Sequence, residues 1–132
     1  MFLDTNLIIQ HIRREETLPA RTLLSVIVAG ELEAFALKAA WGPQKTNFLQ
    51  QIRQQFPPIE VSDQLLQPYA YLDAYSQGKL TQQPLPVGTS SRNMGKNDLW
   101  IAATALYFGV ELHTTDHDFD HLWAVGLQVI KP

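Results

Sequence analysis

The chain has 132 residues, 45% hydrophobic and 17% charged, with a formal net charge of −3; this suffices for one domain around a single core and is too little for two ordinary ones. It contains no cysteine, which excludes disulfides, Cys-ligated zinc, iron–sulfur clusters and thiol catalysis together and fits a reducing compartment. The acidic balance argues against nucleic-acid binding through a broad basic surface, so any nucleic acid handled by this chain needs a local device for holding phosphate.

No repeat or low-complexity segment divides the chain, and residues 1–132 read as a single domain. Phe2 to Asp4 reads as a short strand ended by the polar "DTN", followed by a helix with Ile8, Ile9 and Ile12 on one face. "TLLS" reads as a second strand, and Ser25 as the N-cap of a helix running to about Trp41. The apolar run from Leu23 to Gly30 is far shorter than the roughly 18 to 20 residues of a membrane helix, and "MFLDTNLIIQ" lacks the basic start of a signal peptide; the expectation is a cytoplasmic protein without a membrane partner. A third helix begins at Pro43, with Phe48, Leu49, Ile52 and Phe56 on one side, and stops at Pro57 and Pro58.

"IEV" at residues 59–61 is a third strand, and Ser62 caps a helix through Leu65, Leu66, Tyr69, Leu72 and Tyr75 that ends at Gly78. Lys79 to Gly95 has no period and reads as a loop long enough to be functional or disordered. Asn97 is the expected cap of "DLWIAATALYF", closed by Gly109. "VELHTT" and "LQVI" supply the last two strands. Short strands separated by helices predict an α/β fold: a three-layer α/β/α sandwich with a mostly parallel sheet of about five strands.

In such a sheet, side chains at the carboxyl ends of strands project into a common crevice, deepest where the strand order reverses. Asp4 and Asp116 lie at strand ends. Asp98 lies at a helix start, where the macrodipole favours an anion by about 0.3 to 1 kcal/mol. Glu31 is the first charge on the otherwise apolar "SVIVAGEL", with Glu33 competing for the same role two residues on. Carboxylates meeting in a cleft repel by about 1 kcal/mol per close pair in water and about 4 near a protein surface. A hard divalent cation relieves this, and oxygen-only ligands suit Mg²⁺ or Mn²⁺ shared with substrate phosphate. That is the missing phosphate-holding device.

"LDTN", "SVIVAGEL", "NDLWIAATAL" and "LHTTDHDF", in that order, resemble the acidic motifs of PIN-domain nucleases, most closely the VapC-type toxins of toxin–antitoxin modules. The resemblance covers almost the whole chain. It implies a PIN-like fold and a metal-dependent endoribonuclease, with Asp4, Glu31, Asp98 and Asp116 as catalytic and metal-binding residues. Asp118 is a further candidate ligand, ahead of Asp120. Asn6 and Thr114 match the family's polar supports behind the ligands. The resemblance also implies an RNA substrate, a cognate antitoxin protein and a homodimer, the last through apolar helix faces such as those bearing Trp41 or Tyr75. Arg13, Arg14, Arg92 and Lys96 are candidates for holding RNA phosphates beyond the scissile one.

Three other readings compete. Within "HTTDHDFDH" three aspartates and three histidines fall in nine positions. His117 and His121, four apart, would share a face if that segment is helical, and with the neighbouring aspartates would make a zinc or other transition-metal site. The same fold could also be a catalytically silent RNA-binding or interaction module, or a nuclease acting on DNA. "VGTSSRNMGKN" fails as a phosphate loop, because Lys96 is followed by Asn97 rather than Ser or Thr.

Overall fold

A computed structural model describes residues 1–132. Strand β1 (Phe2–Leu3) leads into helix α1 (Thr5–Arg14), followed by α2 (Val26–Lys38) and α3 (Pro43–Gln55). A 3-10 turn (Asp63–Leu65) opens into α4 (Leu66–Ser76), and α5 (Lys96–Phe108), β2 (Leu112–His113), a 3-10 segment (His117–Val125) and β3 (Val129–Ile130) complete the chain.

The sheet is parallel throughout, with β2 between β1 and β3 and the register Phe2↔Leu112, Leu3↔His113, Leu112↔Val129 and His113↔Ile130. It is smaller than the sequence predicts: "TLLS" and "IEV" contribute only single parallel bridges, Phe2↔Leu23 and Ser25↔Ile59, rather than strands. The chain leaves the sheet on either side of each bridge, because Ser25 turns at once into α2 as its N-cap and Ile59 follows two prolines that have no amide to donate. With the bridges included, the spatial order is Ile59, Leu23–Ser25, β1, β2, β3. The order therefore reverses between β1 and β2.

Phe2 and Leu3 point to opposite faces of the sheet, yet both are buried. Helices cover both faces, which is the three-layer α/β arrangement predicted from sequence. The core is one contiguous cluster running from Phe2 to Leu127 and includes three fully buried alanines of α5, Ala102, Ala103 and Ala105.

Several helix limits follow the predicted chemistry. The Ser25 hydroxyl accepts from the amides of Ile27 and Val28, Pro43 opens α3, and Gly109 ends α5 at φ 66°. Others do not. Helix α2 ends at Lys38, short of Trp41. The Ser62 side chain makes no capping bond, and the 3-10 turn after it delays α4 to Leu66. α5 starts at Lys96 after Gly95, so Asn97 lies inside the helix and frees its side chain to line a cavity. No helix is long and apolar enough to cross a membrane.

Candidate metal centre and acidic cavity

Asp4 follows β1 directly and is the N-cap of α1; its Oδ1 accepts from the Thr5 amide at 2.8 Å. Its Oδ2 accepts from the Thr114 hydroxyl, also at 2.8 Å, across 110 residues of sequence. Thr114 follows β2 and is fully buried, and the same hydroxyl oxygen accepts from the Asp116 amide at 2.9 Å. One side chain thus fixes the carboxyl ends of the two strands between which the sheet order reverses, where open α/β sheets place their ligands.

α2 and α5 close the other sides. The Thr5 hydroxyl donates to Glu31 Oε1 at 2.8 Å. Asp98 stands in the first turn of α5. Asp116 caps the 3-10 segment by accepting from the Asp118 amide at 2.9 Å. Asp4, Glu31, Asp98 and Asp116 line one cavity of about 630 Å³, with Thr5, Asn6, Phe35, Lys38 and Asn97 on its walls.

The electrostatics record the convergence. Burial raises the Asp98 pKa from 3.8 to about 6, assisted by repulsion from Asp4, Asp116, Glu31 and Asp118. One carboxylate oxygen each from Asp98, Asp116 and Asp118 lies within 4.8 Å of the other two. An all-oxygen donor set crowded enough to resist ionisation fits a hard divalent cation such as Mg²⁺ or Mn²⁺. The tightest triad contains Asp118, while Asp4, held by Thr5 and Thr114, stands beside it.

The remaining predicted site residues separate. Asn6 lines the cavity, but its side chain makes no hydrogen bond; the residue supporting an acid from that turn is Thr5, which sequence reasoning passed over although it stands inside "LDTN". Arg14 opens onto a different cavity, beside Met1, Leu3 and His113. Arg92 lies 4.0 Å from Asp118 and outside the acidic cavity, and Lys96 is exposed and does not line it either. Arg13 lies over the ring of Phe35, a cavity residue, at 5.5 Å. Lys38 on the cavity wall was not anticipated; its spacing of seven from Glu31 on one helix was the available signal.

The histidines do not assemble into a metal site. In a 3-10 segment residues three apart align. His117 accordingly pairs through Nδ1 with Asp120 at 2.9 Å and stays exposed. His121 turns inward, with Nε2 at 2.7 Å from the Ser76 hydroxyl, and burial, then Arg92, lower its pKa. His113 pairs with Glu111 at 2.9 Å. Asp120 is bound by Lys131 at 2.8 Å; burial raises its pKa, but the hydrogen bonds from Lys131 and His117 outweigh this and hold the carboxyl below its usual range.

Comparison with known proteins is decisive at the level of family: a PIN domain is matched over residues 1–123. The chain belongs to the PIN-domain family. This PIN domain is 28% identical over 99 residues to Ribonuclease VapC4 of Mycobacterium tuberculosis (strain ATCC 25618 / H37Rv), covering 73% of this chain and 67% of that protein. Its fold superposes on VapBC2 from Rickettsia felis, solved bound to a DNA fragment from its promoter, with a TM-score of 0.74 at 21% identity, covering 99% of this chain and 97% of that one. VapBC-5 from Mycobacterium tuberculosis, of the VapBC family of toxin–antitoxin systems, gives 0.70 at 25% identity, covering 99% and 97%. These likenesses agree with the resemblance read from the four acidic motifs.

Proposed function

We propose that this PIN domain is a metal-dependent endoribonuclease and the toxin component of a toxin–antitoxin module. The observation that carries the reading is the acidic cavity at the sheet's switch point, where four neighbouring carboxylates help push Asp98 to a pKa of about 6. The likeness to Ribonuclease VapC4 supports RNA as substrate, and the VapBC neighbours support an antitoxin partner. A homodimer belongs to the same proposal and is checked by sedimentation velocity. Tyr75 is fully buried within one chain, so its face is not available for that contact.

Asp98, Asp116 and Asp118 would hold Mg²⁺ or Mn²⁺, with Asp4 and Glu31 adjoining. Such an ion, when bound, offsets charge on the scissile phosphodiester and makes water a competent nucleophile near neutral pH. The chain's own contribution is orientation. Thr114 and the Thr5 amide keep Asp4 aimed at the cavity, and Thr5 holds Oε1 of Glu31, leaving Oε2 to orient the attacking water and take its proton.

Asp4→Asn and Asp116→Asn retain size and remove a charge. Each is expected to reduce Mn²⁺-dependent RNA cleavage at least 100-fold while the circular-dichroism melt still shows a folded protein. Wild-type turnover in either variant refutes the assignment, and absence of cleavage by the wild type favours a silent binding module. Matched RNA and DNA strands in one assay decide the sugar preference. Harmless expression in the host would count against the toxin role.

A further inference from the structure

We infer that the rim formed by the end of α1, the second half of α2 and the start of α3 binds single-stranded RNA leaving the acidic cavity, with Arg13, Lys38 and Lys45 on its phosphates and Trp41 against a base. The inference rests on the ribonuclease reading and deepens it by naming where the nucleotides flanking the cleavage site lie.

Ile27, Glu31, Ala34 and Lys38 recur every three or four residues, forming one stripe of α2, and all four line the cavity. Seven residues of helix separate Glu31 from Lys38, about 10 Å along the axis. The cavity therefore changes sign along its length: carboxylates crowd one end, and Lys38, the one cation on its walls, marks the other.

Beside Lys38 two touching aromatic rings are flanked by two cations. Arg13 lies 5.5 Å over Phe35, Phe35 meets Trp41 edge-on at 5.6 Å, and Lys45 lies 5.9 Å over Trp41. None of the three cations forms an ion pair. Glu15, at the end of α1, accepts from Gln44 and leaves the adjacent Lys45 free. Lys45 moreover sits in the first turn of α3, where the macrodipole disfavours a cation, so helix stability does not explain it.

Single strands are held by cations that track the backbone and by aromatic rings on which bases stack. A rim of both kinds, continuous with a cavity suited to a scissile phosphate, gives an acidic protein a local route for a polyanion. Arg14 and Arg92 provide no such route, since one opens onto a separate cavity and the other faces Asp118.

The test measures binding of a fluorescent 20-nucleotide mixed-sequence RNA to the cleavage-inert Asp116→Asn protein between 50 and 200 mM salt. Adding Arg13→Gln, Lys38→Gln and Lys45→Gln together is expected to weaken binding at least tenfold at 100 mM. It should also flatten the slope of log K against log salt by about two, since each single-strand phosphate contact contributes about 0.7. Trp41→Ala should weaken binding about tenfold with the slope unchanged, and Trp41→Phe should restore it. Lys79→Gln, away from the rim, should do nothing, and equal melting temperatures secure the folds. Wild-type affinity and slope in the triple variant overturn the inference, even if the enzyme cleaves RNA. So does a parent that binds no RNA at 50 mM salt, or a triple variant that keeps RNA and loses only a protein partner. The ribonuclease reading fails separately, if the wild type with Mn²⁺ leaves RNA intact while the rim still binds it.

Discussion

Thr114 has one hydroxyl and uses it twice, donating to Asp4 and accepting from the Asp116 amide, with no exposure to solvent. Valine has nearly the same shape and neither function. Thr114→Val leaves a buried carboxylate oxygen and an amide without partners, a cost of about 1 to 3 kcal/mol. We expect that loss in urea unfolding, and a larger proportional loss of RNA cleavage, because both acids lose their shared anchor while the cavity remains. Thr114→Ser should restore most of both. A valine variant with wild-type stability and turnover would show that the hydroxyl only fills space. Thr114 was legible from the sequence through its place in "LHTTD"; Thr5 was not, because its partner Glu31 lies 26 residues away and neither residue type announces a mate.

Helix α5 carries Asp98 to the cavity and packs through Ala102, Ala103 and Ala105, all without solvent exposure. Alanine permits close approach, and the surrounding space is filled, so Ala103→Leu should overpack the core at a cost of about 1 to 3 kcal/mol. The measurement is the denaturation midpoint; an unchanged midpoint would mean that α5 can shift without penalty. The Ser25 cap, the proline start of α3 and the glycine stop of α5 were readable in the sequence. These signals are local, and each acts within a turn of the residue that carries it. The failures were of a different kind. Strands of two residues show almost no alternation, and the bridges at Leu23 and Ile59 exist only because another segment lies beside them. The tightly wound segment from His117 defeated a face argument based on the α-helical period, which is why the paired-histidine reading was attractive in sequence and fails in three dimensions. The four acids were found individually through motif order; their proximity is a property of the sheet's reversal.

Across the whole molecule the acidic cavity sets stability against function, and pH exposes the conflict. Asp98 has a folded pKa of about 6 against an ordinary 3.8. Between those values the native state keeps a proton that the unfolded chain has released. Asp98 therefore lowers the stability of the metal-free protein as pH rises from about 4 to 6, and its effect levels off above that. A divalent cation needs the ionised carboxylates, so its stabilisation grows over the same interval. At 100 times its dissociation constant it adds about 2.7 kcal/mol, on the order of 10 °C in melting temperature for a chain this size. Scans in Mn²⁺ and in EDTA should separate by that amount at pH 7.5 and converge toward pH 5, where protons compete for Asp98. Asp98→Asn removes the repulsion and a ligand together; it should melt higher than the wild type in EDTA at pH 7.5, respond less to Mn²⁺, and lose cleavage. If the Mn²⁺ and EDTA curves superimpose at pH 7.5, or if their separation is the same at both pH values, the carboxylates do not share an ion and the nuclease mechanism loses its basis.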